Sequence, residues 1–407
     1  MTIEEQQLHR RREDEATDAK AVAAGFIDAR GRREFFAMCG AGFLFSVTHN
    51  YSALLAIVFE RSGHSLPDIG LLLSLFAIPA IAAALLSSAA VGRYGALRVA
   101  RWSIFLTLAG IGSLALTRDN FALALVSRLV QAVGVGMFLP AGMVYIQSRI
   151  TRARFVYLVT VFSAGIPLAA AIAPPLGDWT LRHFGETALF LEAAAPGVLG
   201  ILLTVGLRPV PQTPVRSGLA LGGAFRSALV LPYVAVLTGG ALYGFSVSYL
   251  AADLHDRALA LAAFFVPSSV AMVTVRFVAM RWLANLRPPS LVIASLVAFA
   301  LAFVLIALAH GAVLLAIGGV AFGIGNSIMF PVVSAWLGEG LAPADRAGPQ
   351  AVGTATFYFG IYAMPFPQTF MIADWGYVAT ELILAGLAAV MVVVLVMGKA
   401  VAVGSRQ

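Results

Sequence analysis

The chain has 407 residues, of which 60% are apolar and 12% are charged, and its mean hydropathy is +0.89. An ordinary soluble domain carries roughly a quarter charged residues, so this chain has too few polar side chains to cover a water-soluble surface. A membrane span needs about 20 mainly apolar residues, and the apolar runs here are continuous. The composition therefore predicts a helical membrane protein and excludes a transmembrane β-barrel, whose strands alternate apolar and polar residues.

The net charge of +7 does not indicate a nucleic-acid partner once the charges are placed along the chain. The single cysteine, Cys39, excludes an internal disulfide, and the six histidines show no metal-ligand spacing. We therefore expect no bound metal and no cofactor. Residues 1–33 carry charges of both signs and no apolar run, which excludes a cleaved signal peptide. We predict that 1–33 is a charged cytoplasmic tail.

Charged, Pro-rich and Gly-rich breaks divide the rest of the chain into twelve predicted spans. Their bounds are 35–59, 67–91, 99–117, 121–147, 155–177, 187–207, 228–250, 259–281, 290–309, 312–337, 350–372 and 376–398. The linker 208–227, rich in proline and arginine, separates an N-terminal bundle, 34–207, from a C-terminal bundle, 228–399, with a tail at 400–407. The predicted fold class is an all-α polytopic membrane protein with two pseudo-symmetric six-helix bundles.

Positive charge in short loops faces the cytoplasm, and this rule orients the spans. With both termini inside, 21 of the 27 Lys and Arg residues lie on the cytoplasmic side and four lie outside. Two more, Arg128 and Arg276, lie within spans. We therefore expect a multi-pass protein of the inner membrane, in contact with the lipid bilayer and with both termini in the cytoplasm.

Similar segments recur in the two halves of the chain. The segment 134–140 in span four matches 325–331 in span ten, 191 residues later, and the Asp-Trp pair 178–179 matches 374–375 at an offset of 196. Two matches at nearly half the chain length predict duplicated bundles. Repeats of this kind commonly hold a substrate site between them.

Ionisable side chains inside spans are candidates for function, because they are costly to bury in lipid. Arg128 lies about 10 Å below the outer end of span four, and Gln131 follows about one turn later. Arg128 either snorkels to the outer interface or belongs to a polar site. Arg276 lies about 7.5 Å from the cytoplasmic end of span eight, where snorkelling is the preferred interpretation.

His49 is the only histidine well inside a span, and Asn50 and Tyr51 follow it directly. At about 15 Å from the outer end of span one, its depth is comparable with that of Arg128. Histidine titrates near neutral pH, so His49 could carry a proton. The alternative is a neutral histidine that hydrogen-bonds to a neighbouring helix.

Aromatic and polar side chains in several spans either face a central cavity, where they would suit an amphipathic ligand, or pack in the core. They are Tyr51, Tyr243, Tyr249, Asn326, Tyr358, Tyr362 and Gln368. No carboxylate is central in any span, since residues such as Glu60, Glu192, Asp253 and Glu381 lie near span ends. Their position counts against a cationic substrate and does not identify the residue that carries the proton.

Span five carries Gly165, Ala169, Ala173 and Gly177 at a spacing of four, so four small residues share one helix face. Pro174 interrupts the same helix. The stripe predicts close packing within a bundle, or a hinge or seal against a helix of the opposite half.

Over residues 34–398 the chain resembles the major facilitator superfamily. The span-four motif of that family, Arg-x-x-Gln-Gly-x-Gly, is matched at Arg128, Gln131 and Gly134. Its span-five antiporter motif, Gly-Pro-x-x-Gly, is matched at 173–177. Alanine replaces one glycine in each motif.

The loop motif after span two is only partly present. The family pattern is Gly-x-x-x-Asp-Arg-x-Gly-Arg-Arg, and this chain retains Arg93, Gly95 and Arg98. Ser88 and Gly92 replace the first glycine and the aspartate, so the charged latch of this loop is not expected to be intact.

The resemblance implies proton-driven efflux of a drug or metabolite, with Arg128 taking part in proton coupling. We expect a transporter and not an enzyme, with a small-molecule substrate, protons as coupling ions and a monomer as the functional unit. A sugar or organic-anion symporter or facilitator is one alternative, and a non-transporting assembly factor is another. Their similar depth suggests that Arg128 and His49 form one proton-coupling site, since a nearby cation disfavours a protonated imidazole.

Overall fold

The computed structural model describes residue 18 and residues 21–210, 224–226, 229–279, 286–339, 341 and 346–404. Within these ranges the regular structure is helical, and the only β-contact is an isolated antiparallel bridge between Phe26 and Ile150. Most of the predicted linker 208–227, most of the tail up to residue 20, and residues 405–407 lie outside the described residues.

The helices follow one another with short connections. In the first half they are Ala29–Asn50, Tyr51–Leu54 (3₁₀), Leu55–Arg61, Leu66–Ser74, Ala77–Tyr94, Ala96–Thr117, Phe121–Gln147, Arg152–Arg154 (3₁₀), Phe155–Ser163 and Gly165–Thr204. In the second half they are Val230–Ser248, Leu250–Asp256, Ala262–Thr274, Val275–Ala279 (π), Pro288–Ala307, Ala312–Leu337, Ala347–Ala363 and Pro365–Gly404.

Two of the long helices contain a reversal of direction. By length and hydropathy, nine helical segments of the described chain can each cross a membrane. Two of these, Tyr157–Thr204 and Gly348–Met397, turn back at Gly185 and Gly376, whose φ angles are 80° and 78°, so each holds two spans. The shorter apolar helix Ala262–Val278 is the remaining span. The predicted all-α fold with twelve spans is confirmed.

Packing divides the spans into two bundles. In the first, span one packs on spans five and six, and span four packs on spans two and three. In the second, span ten packs on spans eight and nine, and span seven packs on span eleven. Contacts between the bundles join span five to span eight and span two to span eleven. The turn glycines Gly185 and Gly376 are 191 residues apart, the offset that also relates Pro140 to Pro331.

The second repeat match of the sequence is less exact in the structure. Trp179 lies six residues before its turn glycine, Gly185, whereas Trp375 lies directly before Gly376. The two Asp-Trp pairs therefore do not occupy equivalent positions relative to the turns, and the offset of 191 describes the repeat better than 196.

The first helix begins earlier than the sequence suggests. It starts at Ala29 because Asp28 caps it, with the carboxylate accepting a hydrogen bond from a backbone N–H of the first turn. Phe26, which is 3% exposed, packs its ring 5.3 Å from the ring of Phe35. The predicted boundary between tail and bundle at residue 33 is therefore wrong, since residues 21–33 pack with the first bundle.

Charged side chains mark the opposite ends of the bundles. At one end, Glu34 contacts Arg149 and Arg208, with an Oε–Nε distance of 2.8 Å in each pair. The hydrogen bond with Glu34 raises the pKa of the Arg208 guanidinium above its ordinary value. At the other end, Arg118 pairs with Glu186 at 2.7 Å. We call the first end the terminal side, because the first helix begins there, and the second end the far side. The charge count predicts that the terminal side is cytoplasmic.

The turn at Gly376 leads to a stability prediction. Gly376→Ala must hold an alanine at φ 78° and ψ 173°, a region essentially restricted to glycine, which costs about 1–3 kcal/mol, although no atom beyond the neighbouring residues of its own chain segment lies within 4 Å of the added methyl group. We expect the midpoint of thermal unfolding in detergent to fall. The control is Gly386→Ala in span twelve. Its added methyl group also has no neighbouring atom within 4 Å, and the substitution should leave the midpoint unchanged or raise it. Equal effects of the two substitutions would contradict a strained turn at Gly376.

Candidate functional site

A cavity of about 1230 Å³ lies between the two halves. Spans one, two, four and five of the first half and spans seven, eight, ten and eleven of the second half form its walls. Toward the terminal side the cavity extends to exposed residues, Arg154, Phe155 and Tyr157 at the start of span five and Phe277 in span eight. At the far side the halves are in contact, so the cavity is reached from the terminal side.

Arg128 lies in the wall of the cavity and is 3% exposed. Its guanidinium donates hydrogen bonds to the side-chain oxygen of Gln131, to the Ser52 hydroxyl at 3.4 Å and to the Leu72 carbonyl at 3.4 Å. The guanidinium also lies 4.4 Å from the ring centroid of Phe76. Arg128 is thus held by neutral partners inside the bundle, and the interpretation that it snorkels to the interface is wrong.

His49 lines the same cavity and contacts the opposite half. Its Nε2 lies 3.3 Å from the hydroxyl of Tyr362 in span eleven, while no described residue hydrogen-bonds to its buried Nδ1. The imidazole stacks on Phe76, with 6.1 Å between centroids, and the Phe76 ring lies 4.7 Å from that of Tyr362. Because Arg128 also lies over Phe76, this one ring touches both residues of the predicted pair.

Most of the predicted cavity residues do face the cavity. Those in the wall are His49, Asn50, Arg128, Tyr243, Asn326, Tyr358 and Tyr362. Gln131 is fully buried behind Arg128 and donates to the Ser52 hydroxyl at 3.0 Å. The structure therefore brings the polar residues of spans one, four, ten and eleven to one surface.

Three predicted cavity residues point elsewhere, namely Tyr51, Tyr249 and Gln368. The hydroxyl of Tyr249 hydrogen-bonds to that of Thr369, and Gln368 donates to the Ala241 carbonyl at 3.0 Å. Tyr51 begins the 3₁₀ turn of span one and Tyr249 breaks span seven. A change of helix type alters the rotation per residue, so side-chain direction beyond such a break does not follow from α-helical spacing.

Tyr51 contributes to a buried contact outside the cavity. It is 2% exposed, and its hydroxyl lies beside the carboxylate of Glu192 in span six. One carboxylate oxygen of Glu192, Oε2, has no hydrogen-bond partner among the described residues. Tyr51 is therefore not a cavity residue, which corrects the sequence prediction.

Arg276 is the cavity residue whose role the sequence did not reveal. It lies in a π-helical stretch, and its Nη1 donates across the halves to the backbone carbonyl of Ser163 at 3.2 Å. That carbonyl lacks the usual α-helical donor, because Pro167, four residues later, has no N–H. The Nε of Arg276 is buried without a partner in the described part of the chain. The snorkelling interpretation of Arg276 is wrong, and sequence periodicity gives no sign of a π-helix.

The charged side chains in the cavity wall are all arginines, Arg128, Arg152, Arg154 and Arg276. Among the described residues, no Asp or Glu lines the cavity, and no group of three or more His, Cys, Asp or Glu side chains could hold a metal ion. The rest of the wall is largely aromatic and aliphatic. Such a wall can bind a molecule that has an apolar body and a negative group.

The small-residue stripe of span five packs on span one of its own half. Ala169 and Ala173 are fully buried, and Gly165 lies against the backbone of Phe43. A Cβ on Gly177 would come within 2.6 Å of the Leu54 side chain. The prediction that the stripe faces the opposite half is therefore wrong, because a spacing of four defines a helix face but not its neighbour.

The remaining motif residues have local roles. Pro174 is buried in span five. Gly95 has a φ of 86° and joins spans two and three in a turn that favours glycine. Arg93 lies 5.3 Å from the ring centroid of Tyr94, and Arg98 is exposed on the terminal side.

The far side is closed by a charged cluster that joins the halves. His255 of the second half contacts Asp178 through Nδ1 at 3.0 Å and Arg61 through Nε2 at 3.0 Å. Arg182 lies 2.9 Å from Asp178 and 3.1 Å from His255 Nδ1. In the sequence these charges indicated only orientation. The structure places them at a contact that must break before the cavity can open to the far side.

Comparison with known proteins decides the family. The model described as "Major Facilitator Superfamily" matches residues 35–240, just over half of the chain. The chain belongs to the major facilitator superfamily. No curated protein matches its sequence.

Solved transporter structures share the superfamily fold. A nucleoside transporter, NupG, has a TM-score of 0.73 at 15% identity, over 89% of this chain and 98% of NupG. The human organic anion transporter MFSD10 has a TM-score of 0.65 at 16% identity, over 90% and 99%. A peptide transporter, POT, has a TM-score of 0.72 at 15% identity, over 89% and 93%.

These similarities establish a polytopic superfamily transporter rather than an enzyme. The expectations of transport and of a multi-pass membrane protein are confirmed at that level. Because the identities are low, the solved structures show a common fold and leave the substrate to be argued from the cavity.

The far-side cluster of this superfamily member leads to a prediction about opening. His255→Ala removes three contacts between the halves, each worth roughly 0.5 kcal/mol, so the far side should open about tenfold more often. Opening is measured as the rate at which an impermeant maleimide, added on the far side of sealed vesicles, labels Ala53→Cys in a Cys39→Ser background. His310→Ala, an exposed far-side histidine, is the control. Equal labelling rates would show that the cluster does not hold the far side closed.

Proposed function

We propose that the protein transports an amphipathic organic anion by alternating access and exports it from the terminal side. The observation that carries this proposal is the charge of the cavity wall, in which Arg128, Arg152, Arg154 and Arg276 have no acidic counterpart among the described lining residues. A cationic surface with little water around it favours an anion and disfavours a cation.

The two deepest arginines retain capacity to bind an anion. Arg128 is hydrogen-bonded to neutral groups, so no carboxylate neutralises it within these contacts. Arg276 donates to one backbone carbonyl and keeps a buried, unpartnered Nε. A carboxylate, sulfonate or phosphate on the substrate would supply the missing acceptors, and arginine binds such groups in bidentate fashion.

The direction of transport is inferred from the side on which the cavity opens and from the sequence motif in span five. The cavity is reached from the terminal side, which the distribution of positive charge predicts to be cytoplasmic. Residues 173–177 resemble the antiporter motif of the superfamily, which favours export. The apolar and aromatic lining would bind the body of the compound, as is usual for small-molecule sites.

We also propose that His49 carries the coupling proton. Arg128 and His49 both belong to the first half and share contact with Phe76, so a rocking motion of the halves changes their separation little. That motion would instead break the contact of His49 with Tyr362 in the second half. Tyr362 is thus the partner whose movement would control the protonation of His49.

Cotransport of a proton with the anion is a second candidate, and the surroundings of His49 favour it. The nearest cation is Arg128, and an anion bound to Arg128 would attract a proton to the neighbouring imidazole. The two mechanisms predict proton changes of opposite sign. In exchange, substrate binding releases a proton from the protein, whereas in cotransport substrate binding favours proton uptake.

The charge preference of the cavity is tested with three probes that share one apolar body. We expect purified protein to bind 1-naphthoate at least tenfold more tightly than 1-naphthamide or 1-naphthylmethylammonium, as measured by isothermal titration calorimetry. Arg128→Gln and Arg276→Gln should each weaken naphthoate binding by about tenfold or more, since hydrogen bonds to charged groups contribute about 1.5–3 kcal/mol.

The matched control is Arg98→Gln, which removes an exposed arginine outside the cavity and should leave naphthoate binding unchanged. Tighter binding of the ammonium compound than of naphthoate would overturn the proposal of an anionic substrate. An equal loss in all three variants would show that net charge, and not the cavity, governs binding.

The proton role is tested in inverted vesicles that contain the transporter. When 1-naphthoate is added outside wild-type vesicles, exchange should release protons from the vesicles and cotransport should take protons up. A pH-sensitive dye follows either change. His49→Gln should abolish the proton signal while naphthoate binding remains. Tyr362→Phe should reduce coupling without a comparable loss of affinity. A full proton signal in His49→Gln would show that His49 is structural.

A further inference from the structure

A second group of ionisable side chains lies outside the cavity, at the far end of the second half. Asp253 and Glu381 are 1% and 0% exposed, and their carboxylates lie within hydrogen-bonding reach of each other. Arg257 is the cation beside them, with its Nη1 3.0 Å from Asp253 Oδ2 and 3.8 Å from Glu381 Oε2. Two buried carboxylates thus share one arginine.

Arg257 does not satisfy both carboxylates. Its guanidinium also donates to the backbone carbonyls of Ile306, at 3.1 Å, and Ala309. Neither oxygen of Glu381 accepts a hydrogen bond from any described residue. Full ionisation would leave a net negative charge and an unpartnered carboxylate in a fully buried place, which is costly. One proton removes both costs, because the protonated carboxyl group donates a hydrogen bond to the other.

Asp253 belongs to a short helix that closes the far side. We call this helix, Leu250–Asp256, the gate helix. It begins after the break at Tyr249 and packs against Leu55–Arg61 of the first half. Asp253 and His255 are two positions apart and so point to opposite faces. Asp253 faces its own half, whereas His255 contacts the other half.

We propose that Asp253 and Glu381 bind one shared proton, and that this proton holds the gate helix in its closed position. With the proton bound, a hydrogen bond joins the gate helix to span twelve. Without it, the two carboxylates repel each other, and the gate helix loses the fixed position against span twelve from which His255 reaches Asp178 and Arg61 of the first half. The proton enters from the far side, where the Arg257 side chain is 20% exposed.

Among the residues that the structure describes, no other group near the pair supplies a second cation. The ionisable side chains that surround the pair or face the gate helix and span twelve, besides Arg257, are Tyr249, Asp256, Tyr377, Glu60, Asp68, His255, Arg61 and Arg182. The last two bind His255 on the opposite face of the gate helix. Span nine, Pro288–Ala307, packs against span twelve and has no ionisable side chain. The proton is therefore the counter-charge that the pair lacks.

The proton is detected directly by infrared difference spectroscopy of the full-length protein in lipid nanodiscs. Wild-type protein should show a carboxylic-acid C=O band that disappears as the pH is raised. Glu381→Gln and Asp253→Asn should each lose this band. Glu192→Gln, which alters the half-buried glutamate of span six, is the control and should retain it. Persistence of the band in both Glu381→Gln and Asp253→Asn would overturn the proposal.

The effect on the gate is measured as a distance across the far side. Spin labels at Asp119→Cys and His310→Cys, both exposed, report the separation of the halves in a Cys39→Ser background. We expect the wild-type distance to lengthen as the pH is raised. In Glu381→Gln the lengthening should be lost and the short distance kept, because glutamine donates the hydrogen bond at every pH. Lengthening in Glu381→Gln like that of the wild type would also overturn the proposal.

The two measurements distinguish a proton shared by Asp253 and Glu381 from other causes of a pH response. A pH response that arises in the cluster around His255 would persist in Glu381→Gln, because that substitution leaves the contacts of His255 with Asp178 and Arg61 in place. Asp253→Asn tests the same pair if Glu381→Gln does not fold. Neither measurement uses a transported compound, so failure of the organic-anion proposal would leave these results intact, and the reverse also holds.

Discussion

The bilayer offers no water to polar groups, so each one must find a partner within the protein or face a wet cavity. That constraint explains where the polar chemistry of this transporter lies. Pro167 lacks the N–H that would bond to the Ser163 carbonyl in an α-helix, and Arg276 donates to that carbonyl from the opposite half. Arg128 is held by a glutamine, a serine and a backbone carbonyl. Neither arginine pairs with an acidic residue in these contacts, and both line the cavity between the halves.

Local sequence patterns were sufficient to predict the fold. Continuous apolar runs and the breaks between them gave the twelve spans, because span length depends on composition over a short window. Depth along a helix places Arg128 and His49 at a similar level, since rise per residue is constant, and in the structure both contact Phe76. The start of the first helix was missed, because the cap at Asp28 and the packing of Phe26 depend on contacts with the bundle.

The direction of side chains was harder to predict than their depth. Tyr51 and Tyr249 lie at breaks in helix geometry, and Arg276 lies in a π-helix, so a uniform rotation per residue fails at all three. The stripe that ends at Gly177 was assigned to the wrong neighbour, because spacing within one helix does not say which helix packs on it. Two of these failures, at Tyr249 and Arg276, lie at the far-side closure and in the cavity wall, where regular helix geometry is interrupted.

The cavity is divided unequally between the halves. The first half holds Arg128, Phe76 and His49 as one packed unit, whereas the second half supplies Tyr362 and Arg276, which reach across the interface. Relative motion of the halves would therefore preserve the first unit and exchange the contacts made by the second.

The reversals at Gly185 and Gly376 restrict the kind of motion that is available. Each joins two spans with a single non-helical residue and no loop. The two joined spans therefore cannot shift past each other along the membrane normal. A piston-like displacement of span six past span five, or of span twelve past span eleven, would require the turn itself to unwind. Each hairpin must therefore tilt as a unit, and a thinner or thicker bilayer would be accommodated by a common change of angle.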